Sequence, residues 1–596
     1  MRNELSRRRA LWTLLWRTDR RRVAAVAVAA ALQGLAPIGA VLATGELMDA
    51  LAARSTSQAV LGLGLFGSAL LAAAVLNAVL DYQVQVLDGR YGQTVHDTVA
   101  GATLQTAGIA ALEDPQVAGE LAALEEFERM DGFVGTVSAL RQLVSRRMTG
   151  IGALAVLFAF AWWAPLVILA GWRALSYGVG RWLTDSTETS SEVAALQLGR
   201  ARYIRSLAVE PKAAKEVRVF GLADWLVRGY AEAYQAGLEL IWAHRKLGMR
   251  SVLAATSVVT VCHVVVFGAL GLQAFRGQLS TSQLVVFAQA VLACSALGYI
   301  FGAEYPLARA RQVAWQALRL EHRLAAPVPR HATPTTKSRP GPLAVEVTGV
   351  HFRYPTREQT TLRDLSLTIP AGQSLAIVGE NGAGKSTLVK LLCGLYEPGR
   401  GRIEVGGLAP SQAAGRIGVI FQNFVKYEVS LRSNVEFGSL RTAGDDVLLG
   451  RALSDSGARE LADGLPHGPD TVLSAGYPGG RDLSGGEWQK IALARALAAV
   501  HGGAGLLILD EPTSSLDVTA ELELFDRFLD VTKGVTTILV SHRLASVRRA
   551  DRIVVIADGG IAEDGTHEEL MRTDGRYAQM FSLQASRFAA AGLTRG

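Results

Sequence analysis

Cysteine is scarce in this chain. Only three cysteines occur among 596 residues, and no two of them form a C-x-x-C pair. Cys262 and Cys294 lie in apolar runs, and Cys393 lies in a helix-forming stretch. A disulfide framework and a cysteine-based zinc site are therefore not expected, and we interpret the three thiols as small buried hydrophobic groups.

Charge is also sparse. Charged residues make up 19% of the chain and the formal net charge is only +6. This excess is too small to favour nucleic acid as a partner, and the arginines flank apolar segments, which suits a membrane surface. Hydrophobic residues make up 49% of the chain and the mean hydropathy is +0.23, both high for a soluble protein of this size. The composition predicts a protein whose partner is the lipid bilayer.

Long uncharged runs dominate the first 302 residues. A helix that crosses about 30 Å of hydrocarbon needs roughly 20 apolar residues. The runs of that length span residues 23–45, 55–80, 148–172, 251–275 and 277–302. The third lies in a wider apolar region, 133–185, interrupted by Trp-Trp-Ala-Pro at 162–165. Because proline disfavours a continued helix and paired tryptophans favour the bilayer interface, we predict two helices there and six crossings in total.

Basic residues set the predicted orientation. Arg17, Arg20, Arg21 and Arg22 precede the first run, whereas the loop after it holds only Arg54. Since Lys and Arg are enriched on the cytoplasmic side, we expect a cytoplasmic N-terminus. A cleaved signal peptide is the competing interpretation, but the run is too long and further crossings follow.

Two long charged stretches separate the crossings. Residues 82–130 and 186–248 are helix-prone and too long for tight turns, so we expect both to project into the cytoplasm. Asp114-Pro115 favours a helix start in the first, with Asp as N-cap and Pro at the first helical position. Residues 211–222 are a similar candidate in the second.

Three ionisable residues lie in or beside the apolar runs. Asp81 and Glu304 lie at the ends of their runs, within reach of water. His263 lies deeper, and we consider both a substrate or proton role and an ordinary hydrogen bond between helices for it.

Composition changes at residues 326–342, which contain five prolines with interspersed Thr, Ser and Gly. Such a segment does not form a packed element, so we predict a linker there. Alternating strand and helix patterns follow it and predict an α/β core. The predicted fold is an all-α transmembrane domain of six helices at residues 1–325, the linker, and an α/β domain at residues 343–596.

A phosphate-binding loop opens that α/β domain. Residues 379–387 fit the pattern G-x-x-x-x-G-K-[ST], after an apolar strand-like run and before a helix-like one. The glycines let backbone N–H groups close around phosphate oxygens, and the helix adds a positive dipole end. Lys385 is expected to reach the β- and γ-phosphates, and Ser386 to hold Mg²⁺. The predicted nucleotide-binding residues of this loop are Gly379, Glu380, Asn381, Gly382, Ala383, Gly384, Lys385, Ser386 and Thr387.

Two further motifs carry chemistry. The apolar run 506–509 ends in Asp510-Glu511, so these carboxylates are candidates for the Mg²⁺ partner and the general base. Ser484, Gly485, Gly486 and Glu487 precede a helix-forming run and predict a second anion site made of N–H groups and a helix dipole. One triphosphate rarely needs two such sites in one chain. We therefore predict that the second site serves the nucleotide of a partner chain, with an ordinary helix cap as the alternative.

These ordered motifs resemble the ATP-binding cassette (ABC) transporter family over nearly the whole chain. The resemblance implies that Tyr354 stacks on adenine, that Gln422 contacts Mg²⁺ and that His542 lies near the γ-phosphate. It also implies that Ser515-Leu516-Asp517 crosses a dimer interface. The segments near 113–121 and 211–222 resemble the coupling helices that dock on the ATPase domains.

By this resemblance the chain is an exporter-type half-transporter. It is expected to bind ATP and Mg²⁺, to hydrolyse ATP with Glu511, His542, Gln422 and Lys385, and to pair with a second half-transporter chain, with a homodimer favoured over a heterodimer. The expected location is a bacterial plasma membrane, and the expected cargo is hydrophobic or amphipathic: a lipid, a peptide or a secondary metabolite. Three alternatives remain open: an importer on the same fold, a non-transporting membrane ATPase or regulator, and a soluble or DNA-associated ATPase, which the apolar runs disfavour.

Two residues depart from the family's pattern. Glu487 stands where glutamine is common, and Trp488 follows where a basic residue is frequent. The loop 473–481 also lacks a glutamate often found there. These differences bear on contacts between domains, not on ATP binding.

Overall fold

A computed structural model defines the fold for residues 2–106, 108–129, 135–184, 190–210, 213–324, 341–511, 528 and 530–593. The chain divides into two compact units. The first comprises residues 1–100 and 121–321, and the second comprises residues 101–120 and 322–596. Most of the predicted linker and all of Ser515–Asp517 lie outside the described residues.

The described residues of the N-terminal half form helices joined by turns and short loops. Its helices are α1 (Arg2–Ala52), α2 (Thr56–Leu104), α3 (Pro115–Arg129), α4 (Thr136–Phe160), α5 (Ala164–Thr184), α6 (Ser190–Val209), α7 (Ala214–Val219), α8 (Ala223–Phe275), α9 (Thr281–Ala293) and α10 (Phe301–Leu324). At 1.5 Å per residue, the 49 residues of α2 extend about 70 Å, far beyond the hydrocarbon of a bilayer. The apolar run therefore occupies only part of this helix, and the charged part continues beyond that run.

Five stretches of the described helices are long and apolar enough to cross a membrane. They are Ser6–Ala52, Thr56–Leu104, Thr136–Phe160, Arg250–Phe275 and Thr281–Leu324. The predicted fourth crossing forms the shorter helix α5, which is not among the five. Helices α4 and α5 are joined by a short turn at residues 161–163, where the Trp-Trp-Ala-Pro sequence predicts it.

Helix starts follow the predicted signals where these are described. The Asp114 carboxylate accepts from the N–H of Gln116 (2.8 Å), so Asp114 caps α3 and Pro115 is its first residue. The candidate at 211–222 contains the short helix α7, although Pro211 and Lys212 lie outside the described residues.

The segment predicted as the last crossing is not one uninterrupted helix. Helix α9 ends at Ala293, a 3₁₀ turn follows at Cys294–Leu297, and α10 begins at Phe301. The Arg147 guanidinium of α4 donates to the carbonyls of Leu297 and Gly298, the latter at 3.0 Å. It also pairs with Glu304 at 2.5 Å. The run 277–302 by itself predicts a continuous helix and gives no sign of this break. The arginine that hydrogen-bonds to the freed carbonyls lies about 150 residues earlier in the sequence.

The other flagged ionisable residues also have partners. Asp81 pairs with Arg141 at 2.8 Å. The His263 Nδ1 donates to the Val259 carbonyl one turn earlier (2.8 Å), and its ring lies edge-on to Trp172 with centroids 5.6 Å apart. These contacts agree with the ordinary hydrogen bond that we considered for His263, although this one lies within a helix rather than between helices.

The second unit contains two sheets. Its strands are β1 (Val345–Phe352), β2 (Leu362–Ile369), β3 (Ser374–Val378), β4 (Arg400–Val405), β5 (Ile417–Ile420), β6 (Leu506–Asp510), β7 (Thr536–Val540), β8 (Arg552–Ala557) and β9 (Gly560–Gly565). The smaller sheet is antiparallel with the order β2-β1-β4, and the larger has the order β5-β6-β7-β3-β8-β9. The first five strands of that larger sheet run parallel, and β9 runs antiparallel to β8. Strands β3, β6 and β7 are nearly continuous runs of buried residues, as expected for a parallel sheet covered on both faces.

Helices surround these sheets. They are α11 (Lys385–Leu392), α12 (Pro410–Ala413), α13 (Leu431–Glu436), α14 (Asp446–Asp455), α15 (Arg459–Asp463), α16 (Gly485–His501), α17 (Leu544–Val547), α18 (His567–Arg572) and α19 (Arg576–Leu593). One apolar cluster joins α13, α14, α15 and α16 into a helical subdomain. Trp488 is only 2% exposed and lies inside that cluster. The tryptophan, at a position where the family often has a basic residue, therefore packs in the core rather than making a surface contact.

Candidate nucleotide-binding site

The carboxyl ends of four neighbouring strands carry the predicted catalytic residues. In the order β5-β6-β7-β3, each strand pairs in parallel with the next. Gln422 follows β5, Glu511 follows β6, His542 follows β7 and the phosphate-binding loop follows β3. Because parallel strands end at the same edge of a sheet, segments distant in sequence meet there.

Glycine geometry shapes the phosphate-binding loop. Gly379, Gly382 and Gly384 have φ of 151°, 85° and 111°, values that residues with a Cβ rarely adopt. A Cβ at Gly379 would overlap the Ile556 carbonyl oxygen, and one at Gly384 would lie 2.6 Å from a methyl group of Leu362. The loop therefore needs glycine for its conformation and for its close packing.

Lys385 lies inside this loop. Its side chain is buried, and its Nζ donates to the carbonyls of Gly379 (2.8 Å) and Glu380 (2.9 Å). Burial lowers the pKa of Lys385, and the neighbouring carboxylates of Glu511 and Asp510 oppose that shift. A cation thus stands at the centre of the loop, where triphosphate oxygens would enter.

Ser386 and Asp510 meet where the sequence predicts the Mg²⁺ site. The Ser386 hydroxyl donates to Asp510 Oδ1 at 3.2 Å. Asp510 is only 3% exposed, and burial raises its pKa, while the Ser386 hydrogen bond lowers it. A hydroxyl and a carboxylate are the hard oxygen ligands that Mg²⁺ prefers. Since no group of three or more His, Cys, Asp or Glu side chains forms a metal site among the described residues, the phosphates and water would have to complete the coordination.

Glu511 lies beside both remaining catalytic candidates. Gln422 Nε2 donates to its Oε2 (2.8 Å), and His542 Nδ1 lies 3.3 Å from its Oε1. Glu511 has a φ of 49°, a left-handed conformation that costs a residue with a Cβ about 1–2 kcal/mol. Its N–H donates to the Val540 carbonyl on the adjacent strand (2.9 Å), which holds the carboxylate at the sheet edge.

Tyr354 lies beside the phosphate-binding loop. Its hydroxyl is 3.1 Å from that of Thr387, the last residue of the phosphate-binding loop. Its ring packs edge-on against Phe352 and Tyr396, with centroids 5.0 and 5.3 Å apart. The ring is partly exposed and lines the pocket that also contains the phosphate-binding loop.

The pocket joins these residues in one cavity of about 720 Å³. Its lining includes six residues of the phosphate-binding loop together with Tyr354, Gln422, Glu511 and His542. Six lining residues were not predicted from the sequence: Glu113, Thr356, Arg357, Thr361, Lys390 and Gln584. Arg357 and Lys390 were detectable in principle because they lie near predicted residues in the sequence. Arg357 lies three residues after Tyr354, and Lys390 lies three residues after Thr387. Glu113 and Gln584 come from distant segments and carry no local signal.

Ser484, Gly485, Gly486 and Glu487 do not line this pocket of their own chain. They form the start of α16, where Ser484 and Glu487 make a capping box. The Ser484 N–H donates to Glu487 Oε2 at 2.7 Å. This hydrogen bond is the main cause that lowers the pKa of Glu487, which is therefore ionised at neutral pH.

Comparison with known proteins relates part of the chain to ABC transporters. Residues 362–514 match the family model for ABC transporters. The subtilin transport ATP-binding protein SpaT of Bacillus subtilis is 32% identical over 386 residues, which cover 63% of this chain and 62% of that protein. The chain therefore carries an ABC transporter domain at residues 362–514.

Two other ABC proteins extend the comparison. An ATP-dependent lipid A-core flippase of Alcanivorax borkumensis is 36% identical over 247 residues, which cover 41% of this chain and 41% of that protein. Both curated relatives are thus matched over less than two thirds of their length. A solved bacterial Atm1-family ABC exporter with ATP bound has a TM-score of 0.73 at 22% identity and covers 95% of this chain and 99% of its own. This likeness confirms the predicted fold class, a helical transmembrane region followed by an ABC nucleotide-binding domain.

Proposed function

We propose that this chain is one half of an ATP-driven exporter. One observation carries the proposal: the phosphate-binding loop, Asp510, Glu511, Gln422 and His542 meet at one sheet edge, in a chain that also has helices able to cross a membrane. A complete catalytic set supports turnover rather than mere nucleotide binding.

The proposed hydrolysis uses the groups at the sheet edge. Glu511 accepts a proton as water attacks the γ-phosphorus and the bond to the β–γ bridging oxygen breaks. Gln422 and His542 hold the Glu511 carboxylate in place. Lys385 supplies positive charge to the phosphates. Ser386, Asp510 and Gln422 would hold Mg²⁺, which would neutralise charge on the phosphate oxygens.

A second chain is proposed to complete each site. Ser484 to Glu487 form a helix N-terminus, but they lie outside the pocket of their own chain. This supports a dimer in which the N-terminus of α16 in one chain faces the nucleotide of the other. ATP then favours the closed dimer, and a ligand that binds two states unequally is what conformational coupling requires. A homodimer is the simpler assembly, since this chain carries every catalytic residue.

The proposed cargo is an amphipathic peptide, with a lipid as the second candidate. The alignment with SpaT is longer than the predicted nucleotide-binding domain, residues 343–596, so it reaches into the helical half. The alignment with the lipid A-core flippase is no longer than that domain. Because cargo contacts the membrane helices, SpaT, which is named for subtilin transport, is the better guide to the cargo of this chain. The chain is proposed to lie in a bacterial plasma membrane with its N-terminus and ATPase domain in the cytoplasm.

Transport in inside-out vesicles tests the direction and the cargo. Vesicles containing the protein are given Mg²⁺-ATP with either a fluorescent cationic amphipathic peptide or a fluorescent phospholipid. An exporter accumulates its cargo inside these vesicles, and we expect this for the peptide. Loss of peptide preloaded into the vesicles would indicate an importer, and ATP hydrolysis that no cargo stimulates and no transport accompanies would favour the regulator.

Glu487 provides a test of the proposed shared site. Its carboxylate places a negative charge at the helix N-terminus that would face the partner's γ-phosphate. Replacing Glu487 with glutamine removes that charge while keeping a residue that suits the capping box. We expect the KM for ATP to fall about threefold, a typical effect of one charge at a helix terminus. Steady-state ATPase assays in lipid nanodiscs measure it.

A matched control exists in the same domain. Thr566 and Glu569 form the same capping box at the start of α18, and hydrogen bonds to Thr566 lower the pKa of Glu569 as well. Glu569→Gln should leave the KM for ATP at the wild-type value. An equal change in both variants, or a higher KM in Glu487→Gln, would contradict the proposed position of Glu487.

A further inference from the structure

Residues 108–114 belong with the nucleotide-binding unit although they connect α2 to α3 of the helical half. The Ile109 N–H donates to the Leu395 carbonyl (3.0 Å), and Ile109 and Ala110 pack on the apolar core of that unit. A Cβ at Gly108 would lie 2.6 Å from the same carbonyl oxygen. The segment is thus fitted closely against the backbone at residue 395, immediately before Tyr396.

Glu113 extends this contact into the pocket. Its carboxylate accepts a hydrogen bond from the Tyr396 hydroxyl, and Glu113 itself lines the nucleotide cavity. Tyr396 is buried, and burial raises the pKa of its hydroxyl, so that group remains a hydrogen-bond donor at physiological pH. A buried donor without its acceptor is costly, so the position of Tyr396 depends on Glu113.

Tyr396 in turn supports the ring that is proposed to stack on the base. Phe352, Tyr354 and Tyr396 pack edge-on to one another, with centroids 5.0 to 5.4 Å apart. The Lys390 ammonium lies over both Tyr354 (5.3 Å) and Tyr396 (5.7 Å). Because Tyr354 packs on Tyr396, a shift of Tyr396 changes the surface offered to the base.

We propose that Glu113 is a positioning residue for the nucleotide base, which acts through Tyr396 on Tyr354. The inference rests on the proposed function, since it assigns a role within the same ATP site. Its consequence is reciprocal: if residues 108–114 favour one position of Tyr354, then a base stacked on Tyr354 favours that position of residues 108–114 by the same free energy. The base, as distinct from the triphosphate, would thereby affect a segment that leads directly into the membrane helices.

A second contact ties the same segment to the end of the last helix. Arg323, near the end of α10, pairs with Asp114 (3.2 Å) and donates to the Gln116 side chain (3.4 Å). Residues 108–114 are therefore joined on one side to Tyr396 and on the other to Arg323 of α10. A displacement of residues 108–114 by the base would reach α3 through the polypeptide chain. It would reach α10 through the ion pair between Asp114 and Arg323.

A double-mutant cycle tests the proposal. The variants are Glu113→Ala, Tyr396→Phe and the double variant, assayed as the full chain in nanodiscs for the KM of ATP and for kcat. We expect each single variant to raise the KM about fivefold, the double variant to raise it no further, and the change to fall on KM more than on kcat. Glu113→Gln should restore most of the affinity, since its amide oxygen can still accept from Tyr396.

Inorganic tripolyphosphate separates the base from the phosphates. It occupies the phosphate-binding loop but has no base, so its inhibition constant should be the same in wild type and in Glu113→Ala. Glu397→Ala is the matched control, because Glu397 is an exposed carboxylate beside Tyr396. It should leave the KM for ATP unchanged.

Three results would overturn the proposal. They are an unchanged KM in Glu113→Ala, multiplied effects in the double variant, and a tripolyphosphate inhibition constant that rises together with the KM. The proposed function is judged separately by the wild-type protein. If the wild type neither hydrolyses ATP nor transports cargo, then the function itself is wrong. If the wild type is active and the variants have the same KM for ATP as the wild type, then only the proposed role of Glu113 is wrong.

Discussion

Replacing Glu511 with glutamine is expected to lower the kcat for ATP hydrolysis at least about 100-fold, the usual contribution of a general base. The amide keeps the size of the side chain and can still accept from Gln422 Nε2, which lies 2.8 Å from the carboxylate. It cannot take a proton from water. ATP binding should persist, because the phosphate-binding loop and Tyr354 are unchanged.

The measurement is phosphate release in nanodiscs, with ATP binding followed separately through the ATP-induced rise in Tm. Glu568→Gln is the control, since Glu568 is an exposed carboxylate on α18 of the same domain. It should retain wild-type turnover. Hydrolysis near the wild-type rate in Glu511→Gln would mean that another group accepts the proton, and the assignment of Glu511 would be wrong.

Replacing Lys385 with alanine is expected to weaken ATP binding about 100-fold. A hydrogen bond to a charged group contributes roughly 1.5–3 kcal/mol, and Lys385 has two such groups to meet in the β- and γ-phosphates. The side chain also donates to the carbonyls of Gly379 and Glu380, so its loss removes two contacts that hold the loop. Both effects act in the same direction.

Titration calorimetry with ATP measures this change, with the catalytic background suppressed by Glu511→Gln in both proteins. Lys533→Ala is the control because its side chain is 79% exposed and pairs only with the nearby Asp530 among the ion pairs of the described residues. ATP affinity close to the wild-type value in Lys385→Ala would contradict the role of Lys385 in the phosphate-binding loop.

Local motifs made most of the catalytic set predictable. The glycines, Lys385 and Ser386 lie within one short loop, and the strand before it and the helix after it have clear patterns. Asp510 ends a strand of wholly buried residues and Glu511 follows it, so their chemistry is evident from this position. Such features depend on residues a few positions apart, so the sequence expresses them directly.

Features that depend on distant partners were not predictable in this way. The hydrogen bond between Gln422 and Glu511 joins residues 89 positions apart, and that between Tyr396 and Glu113 joins residues 283 positions apart. The break between α9 and α10 is equally hidden, because the guanidinium that satisfies its carbonyls belongs to α4. An apolar run cannot indicate that an arginine elsewhere will stabilise its interruption.

The sequence by itself determined that the chain has apolar helices for a membrane, a phosphate-binding loop and an acidic pair after a buried strand. These are matters of composition, spacing and periodicity over short segments. Only the tertiary structure decided which strands are neighbours, and hence that Gln422, Glu511 and His542 face the loop of Lys385. It also decided that Glu113 reaches the same pocket, because the order of strands and the docking of a connecting segment arise from the packing of the whole unit.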